Sequence, residues 1–196
     1  DVAQQGIRLS KMTPVPMGIR IDQVGQAHDA TAPNTRNPLL LHLGLIMQMR
    51  KSEIVVGVLH RVKSRYPGAR LLYVGDGQMP SDSQAVEEEA IRLGLMSDVT
   101  ITGFLPMDEA WKLVKQADIC FSPIYPSPVF LPASPTKLIE YMAMGKCVVA
   151  NELPEQCQVM EDSGIGRCVE WDEKAFADAV FYLLEDPERA KNMAAK

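Results

Sequence analysis

Several features that would announce a common protein class are missing from this sequence. No apolar run approaches the ~18 residues a membrane-spanning helix needs, so no transmembrane segment is expected. Basic residues do not predominate: 20 Lys and Arg stand against 25 Asp and Glu, a formal net charge of −5. That balance argues against a general nucleic-acid binder. There are four cysteines, Cys120, Cys147, Cys157 and Cys168, and none has C-x-x-C spacing. Three of them fall in apolar strand-like runs, so they read as buried free thiols of a reducing compartment. His28, His42 and His60 are isolated and no Asp-x-Asp occurs, which leaves no residues for a dedicated metal site. Gly75-x-Gly77 lacks the third glycine of the dinucleotide fingerprint and speaks against NAD. The chain opens Asp1-Val-Ala-Gln-Gln, with neither an apolar signal region nor an initial Met. We therefore expect that residues upstream were removed or belong to a longer protein. No internal repeat or low-complexity tract is visible.

What is present is a globular pattern: 46% of residues are hydrophobic, and 196 residues suffice for a full core. From Leu39 the chain alternates short apolar runs with helical periodicity. Strands are expected at Leu39–Ile46, Ala69–Val74, Val99–Phe104, Ile119–Ile124, Cys147–Asn151 and Gly166–Trp171. Helices are expected at Ser52–Tyr66, Asp82–Leu95, Met107–Ala117, from Ser134, at Pro154–Asp162, at Glu173–Leu184 and from Pro187. This alternation implies parallel βαβ units in an α/β, doubly wound, Rossmann-like sheet of about six strands with helices on both faces. Residues 1–38 differ. Lys11–Pro16 reads as a short extended segment and Asp22–Pro38 as a polar surface loop or a partly disordered stretch. The expected division is residues 1–38 as an extension and 39–196 as the sheet domain.

The most informative stretch is Ser134-Pro-Thr-Lys-Leu-Ile-Glu140, followed by Tyr-Met-Ala-Met-Gly145-Lys-Cys-Val-Val-Ala150. Ser134 suits a helix N-cap and Pro135 the first helical position. The N–H groups of Thr136, Lys137 and Leu138 would then lack helical acceptors. A cation such as Lys137 in a first turn opposes the helix dipole unless an anion binds there. Glu140 shares a face with Thr136 and Lys137, where a carboxylate can accept two hydroxyl hydrogen bonds from a ribose. Phosphate at the tip and ribose one turn along would make a nucleoside diphosphate site. The plainer alternative is a capped amphipathic helix with a solvated Glu140.

This stretch resembles the donor-nucleotide motif of retaining glycosyltransferases of the GT-B architecture, in the large family 4, or group 1. The resemblance covers about residue 11 to the end, because Val15-x-x-Gly18 with its prolines is similar to the family's interdomain segment. It implies one half of a GT-B architecture, the C-terminal, donor-binding domain, with an acceptor-binding N-terminal domain absent. In the family's Glu–seven residues–Glu pattern, Glu140 matches the second, ribose-binding Glu, while the first position is occupied by Pro132. Related enzymes also carry Gly-Arg after the first strand and a cation six residues beyond the Gly, both on the diphosphate. Here Gly44 is followed by Leu45, and Arg50 fits the second role with Lys51 adjacent. The plainer reading makes Arg50 and Lys51 surface cations before a helix. Phe104 stands where the family packs the base against backbone, or else belongs to the core. Asp118 matches a common family position or caps a turn, and Pro154-Glu155-Gln156 resembles a polysaccharide-transferase subgroup without an evident chemical role.

The sequence therefore leads to the following expectations. Arg50 or Lys51 stabilises the leaving diphosphate, and Gly44, Gly75, Phe104, Ser134, Thr136, Lys137, Leu138 and Glu140 bind a nucleotide sugar. The nucleotide diphosphate sugar is a substrate, and no cofactor, metal or nucleic-acid partner is implied. The full-length protein would transfer a hexose with retention to a hydroxyl acceptor, lipid-linked acceptors included, in bacterial polysaccharide or glycoconjugate synthesis. It would be cytoplasmic, or peripheral at the inner membrane face through the missing domain. A non-catalytic nucleotide-binding module, or an epimerase or phosphorylase of the same architecture, is the competing expectation.

Overall fold

In the computed structural model, residues 6, 8–13, 18–19, 24 and 30–195 are described. Six parallel strands form the sheet: β1 (Leu39–Leu43), β2 (Arg70–Val74), β3 (Val99–Ile101), β4 (Ile119–Ser122), β5 (Cys147–Asn151) and β6 (Gly166–Val169). Their spatial order is β3-β2-β1-β4-β5-β6. The helices are α1 (Ile54–Val62), α2 (Pro80–Arg92), α3 (Met107–Gln116), α4 (Thr136–Ala143), α5 (Pro154–Ser163), α6 (Glu173–Leu184) and α7 (Pro187–Ala194). The expected α/β doubly wound sheet of six strands is therefore what the chain forms. Each strand is shorter than its apolar run where a breaker intervenes. β1 stops before Gly44 at φ +104°, and β4 stops before Pro123, which has no N–H for a ladder.

Alternation along the buried strands divides the core in two. Leu40, Leu71, Tyr73, Ile119, Phe121 and Val149 pack under α1, α2, α6 and α7. Leu41, Leu43, Val74, Cys120 and Val148 pack under α3, α4 and α5. β4 and β5 are buried at every residue, as central strands covered on both faces must be. Cys120 and Cys147 lie fully within this core and Cys157 and Cys168 at its margin, all four unbridged. Burial pushes the Cys120 thiol up and the Cys147 thiol up to about 12, so neither ionises near neutrality.

The segment before β1 departs in part from expectation. Leu9–Lys11 is a 3-10 turn, so Lys11 is not extended, and Pro14–Pro16 lie outside the described residues. Residues 30–38 form an irregular connection. Val24, by contrast, is helical and buried in the core under α3–α5, where an apolar side chain gains more from packing than from solvent. Asp118 accepts hydrogen bonds from the Asn34 and Leu39 N–H groups, both at 2.7 Å, and so ties this connection to the start of β4. That is the capping reading of Asp118.

β1 and β4 are neighbours, but their crossovers leave in opposite directions, so the sheet order reverses between them. Beyond the His42–Phe121 pair the two strands no longer bond each other. The Tyr141 hydroxyl fills the gap, accepting from the Leu43 N–H at 2.7 Å and donating to the Phe121 carbonyl at 3.2 Å. Two backbone groups that would be orphaned at the split are thereby satisfied. Crevices of this kind, outside the carboxyl ends of strands at a reversal of order, are where open α/β sheets bind ligands.

Candidate functional site

Four loops meet over this crevice, following β1, β2, β3 and β4. They enclose a cavity of about 280 Å³ whose walls include Gly44, Leu45, Arg50, Gly75, Phe104, Thr136, Lys137 and Glu140. Seven of the ten residues expected from the sequence are among them. The Gly44, Gly75 and Ser134 loops all lie at this edge of the sheet. The turns after β1 and β2 are interlocked, because Gly44 N–H donates to the Val74 carbonyl at 2.8 Å and Ile46 N–H to the Asp76 carbonyl at 2.9 Å. A Cβ on Gly75 would stand 2.3 Å from the Gly44 carbonyl oxygen, and its φ is +137°. Glycine is required there by close backbone approach, which decides a reading left open by the short Gly-x-Gly.

The start of α4 is built differently from expectation. The helix begins at Thr136 with Pro135 as its cap residue, and no side chain caps it. Ser134 instead donates its hydroxyl to Glu155 at the start of α5, so it anchors the loop rather than capping the helix. Its role as an N-cap is corrected on that ground, and Glu155 acquires a structural one. Leu138 is likewise withdrawn from the ligand: its side chain is core and its N–H is bonded to the Pro135 carbonyl at 3.1 Å. Among the described residues, the Thr136 and Lys137 N–H groups have no backbone acceptor.

The two cations after β1 part company. The 3-10 turn Gln48–Arg50 ends at Lys51, which adopts a left-handed φ of +50° and swings away. The Lys51 ammonium sits 4.3 Å from the centroid of the Tyr125 ring, over a separate hollow it shares with Glu53 and Trp171. Adjacency in sequence did not make Lys51 a substitute for Arg50. Arg50 faces the cavity, its guanidinium 5.6 Å from the Phe130 ring centroid, and its Nε is buried without a partner. Phe104 is 66% exposed, so the core alternative fails and its ring is free at the cavity mouth. Pro132, in the position of the first Glu, is exposed and outside the cavity wall.

Lys137 is buried and comes within 3.0 Å of Nε2 of His42, a fully buried residue of β1. Burial, with the nearby Arg50, lowers the Lys137 ammonium to about 7, against a smaller upward pull from Glu140. Burial also holds the His42 imidazole well below its usual range, assisted by Lys137 and Arg50, so His42 is neutral. Glu140 is half-buried and burial raises its carboxyl, partly opposed by Lys137. Glu140 is thus only partly solvated, on the wall of the cavity. His42 escaped the sequence reading because a lone histidine carries no spacing signal; only the β1–α4 packing gives it a partner. Chemically, the cavity combines one permanent cation, one titrating cation, two free N–H donors and a carboxylate one helical turn away, about 5–6 Å along the axis.

Comparison with known proteins identifies the family of the chain. Residues 37–186 match the family described as "Glycosyl transferases group 1". A phosphatidyl-myo-inositol mannosyltransferase of Mycobacterium tuberculosis (strain CDC 1551 / Oshkosh) is 28% identical over 195 residues, covering 95% of this chain and 48% of that protein. Among solved structures, the C-terminal domain of a glycosyl transferase group 1 family protein (LpcC) from Francisella tularensis superposes with a TM-score of 0.68 at 19% identity. That match covers 90% of this chain and 93% of the other. Anabaena Alr3699/HepE, solved in complex with UDP-glucose, gives a TM-score of 0.69 at 20% identity, covering 81% of this chain and 42% of that one. At these identities the structural likenesses show the shared fold, one half of a GT-B architecture. The chain spans about half the length of the curated relatives it matches. On the strength of the match over residues 37–186, the chain belongs to the group 1 glycosyl transferases.

Proposed function

We propose that this chain is the donor-binding half of a glycosyltransferase that moves a sugar from a nucleotide diphosphate sugar to a hydroxyl acceptor with retention. The observation that carries the reading is the meeting of Arg50, Lys137, the free N–H groups of α4 and Glu140 in one cavity at the sheet reversal. Arg50 and the Lys137 ammonium, with the Thr136 and Lys137 N–H groups, take the diphosphate and stabilise the charge that develops on it as the glycosidic bond breaks. Glu140 accepts from the ribose hydroxyls and so orients the donor. Phe104 offers its exposed ring to the base. No resident cofactor or metal is assigned in this reading, since protein cations meet the leaving group.

The cavity is small for a whole donor. About 280 Å³ lies at the lower edge of the ~300–1,000 Å³ usual for ligand pockets. A second domain supplying the acceptor site would complete the enclosure, in keeping with relatives twice as long. Synthesis of bacterial polysaccharide or glycoconjugate, on the cytoplasmic side and with acceptors that include lipid-linked ones, is the setting this reading favours. Pro132 and Leu45, where related enzymes carry Glu and Arg, favour one competitor, a nucleotide-binding module without transfer activity.

Calorimetry of this chain with UDP, GDP and ADP tests the site. We expect at least one to bind with Kd on the order of 10 µM to 1 mM, the weakness reflecting an unclosed site. Glu140→Ala should lose about 1.5–3 kcal/mol of that affinity, the worth of hydrogen bonds to a charged group. No heat from any of the three would refute the reading. Binding without transfer by the full-length protein would favour the inert module.

A further inference from the structure

Lys137 is an anomaly on its own terms. Its ammonium is buried, and among the described residues no carboxylate lies within ion-pair distance of it. Among the described residues its one side-chain hydrogen-bond partner is a histidine nitrogen, Nε2 of His42 at 3.0 Å. The opposite nitrogen, Nδ1, is buried with no partner. From the 3-10 turn, Arg50 brings a second cation into the same cavity, its Nε also unpartnered. From β2 the Tyr73 ring packs 5.3 Å from the imidazole, and burial raises its phenol, so it stays neutral. Tyr141 on α4 is likewise neutral, with its hydroxyl committed to Leu43 and Phe121. Among the described residues, Glu140 is the one carboxylate lining the cavity. A buried cation so placed has too little compensation of its own and is completed only by an incoming anion.

We infer that His42 is a positioning residue of the anion site, docking the Lys137 amine so that the pair takes up one proton from solvent as a diphosphate enters. This rests on the nucleotide reading above. Without ligand at alkaline pH, the amine is neutral and accepts from His42 Nε2–H, leaving Nδ1 as the bare nitrogen. With the anion bound, Lys137 carries the extra proton and donates one N–H to Nε2, and the imidazole proton resides on Nδ1. One proton enters from solvent, one tautomer shift accompanies it, and charge in the cavity is balanced by the ligand. Burial of His42 keeps the imidazole from charging in either state.

The sign of the pH dependence follows. Lys137 is about half protonated at its value of about 7, and anion binding raises that value. Binding therefore consumes a proton above pH 7 and weakens as pH rises. A single site with this midpoint predicts roughly fivefold weaker binding at pH 8 than at pH 7, and about 0.9 proton taken up per ligand at pH 8. The terminal phosphate of a nucleoside diphosphate is already ionised there, with a second pKa of about 6. The ligand's own titration thus does not mimic the effect.

The test uses this chain with UDP, GDP or ADP, whichever binds, in two non-phosphate buffers of different ionisation enthalpy. Proton uptake near 0.9 at pH 8, falling below 0.2 at pH 6, is expected. Binding with no buffer dependence at pH 8 would overturn the inference while leaving the nucleotide reading intact, whereas no binding by any of the three removes both. A ligand-free arm follows the Lys137 side chain by NMR, where a midpoint near 7 is expected and one above 9 would overturn the inference. His42→Phe keeps ring volume and suits a strand, yet removes the acceptor, and should weaken nucleotide binding about tenfold. His42→Gln restores an acceptor and should recover most of that loss. If Phe binds as well as Gln, His42 only fills space and the positioning role is lost.

Discussion

Gly75→Ala offers a perturbation whose size can be worked out from the structure. The new Cβ would lie 2.3 Å from the Gly44 carbonyl oxygen and 2.9 Å from its carbon, both backbone atoms that cannot rotate aside. Relief requires the turns after β1 and β2 to separate by about 1 Å, given that C···O contacts optimise near ~3.5 Å and softer approaches are tolerated. Separation endangers the Gly44–Val74 and Ile46–Asp76 hydrogen bonds, each worth about 0.5–1.5 kcal/mol. A φ of +137° adds about 1–3 kcal/mol for any residue with a Cβ. The expected destabilisation is about 3–5 kcal/mol, read as a lower urea midpoint with unchanged slope. Gly94→Ala is the control: its φ is +70° but nothing stands within 4 Å of the added Cβ, so about 1–2 kcal/mol is expected. Equal losses at the two positions would refute the reasoning, since backbone approach would then contribute nothing. Nucleotide affinity should fall with Gly75→Ala even under conditions where the variant remains folded, because Gly44 and Gly75 both wall the cavity.

Arg50→Ala should weaken a nucleoside diphosphate more than the monophosphate, whereas Lys51→Ala should alter neither, because Lys51 rests on Tyr125 away from the cavity; equal effects of the two substitutions in calorimetry would contradict the geometry. Tyr141→Phe removes the hydroxyl that serves Leu43 and Phe121 at the sheet split and should cost about 1–3 kcal/mol in urea unfolding; a loss below 0.5 kcal/mol, as is usual of surface changes, would mean water fills in at no cost. Lys137→Met should bind nucleotide more weakly yet melt a few degrees higher at pH 6, where the wild-type chain must bury a protonated amine; lower melting would show the lysine to be structural.

Most of the architecture was legible in the chain because it is dictated locally. Period-two and period-3.6 apolar patterns, with prolines and glycines between them, determine which segments become strands and helices, and short βαβ spacing leaves a parallel doubly wound sheet as the outcome. The order of loops after β1 to β4 then brings Gly44, Arg50, Gly75, Phe104, Thr136 and Glu140 to one edge without further information. What the chain alone left undecided depends on contacts between residues far apart in sequence. Ser134 looked like a cap because serine at that offset usually is one, but Glu155, 21 positions later, provides a charged acceptor that the helix start cannot match. Leu138 is drawn inward by core packing against Tyr141 and the strands, and its N–H goes to Pro135. Lys51 and Arg50, neighbours in sequence, are sent to different hollows by one left-handed residue at the end of a 3-10 turn. The protonation state of Lys137 is the furthest from local prediction. It is set by burial in the crevice and by Arg50, against a smaller pull from Glu140, while a histidine 95 residues away gives the amine its hydrogen bond; only the folded arrangement of β1 against α4 brings these together.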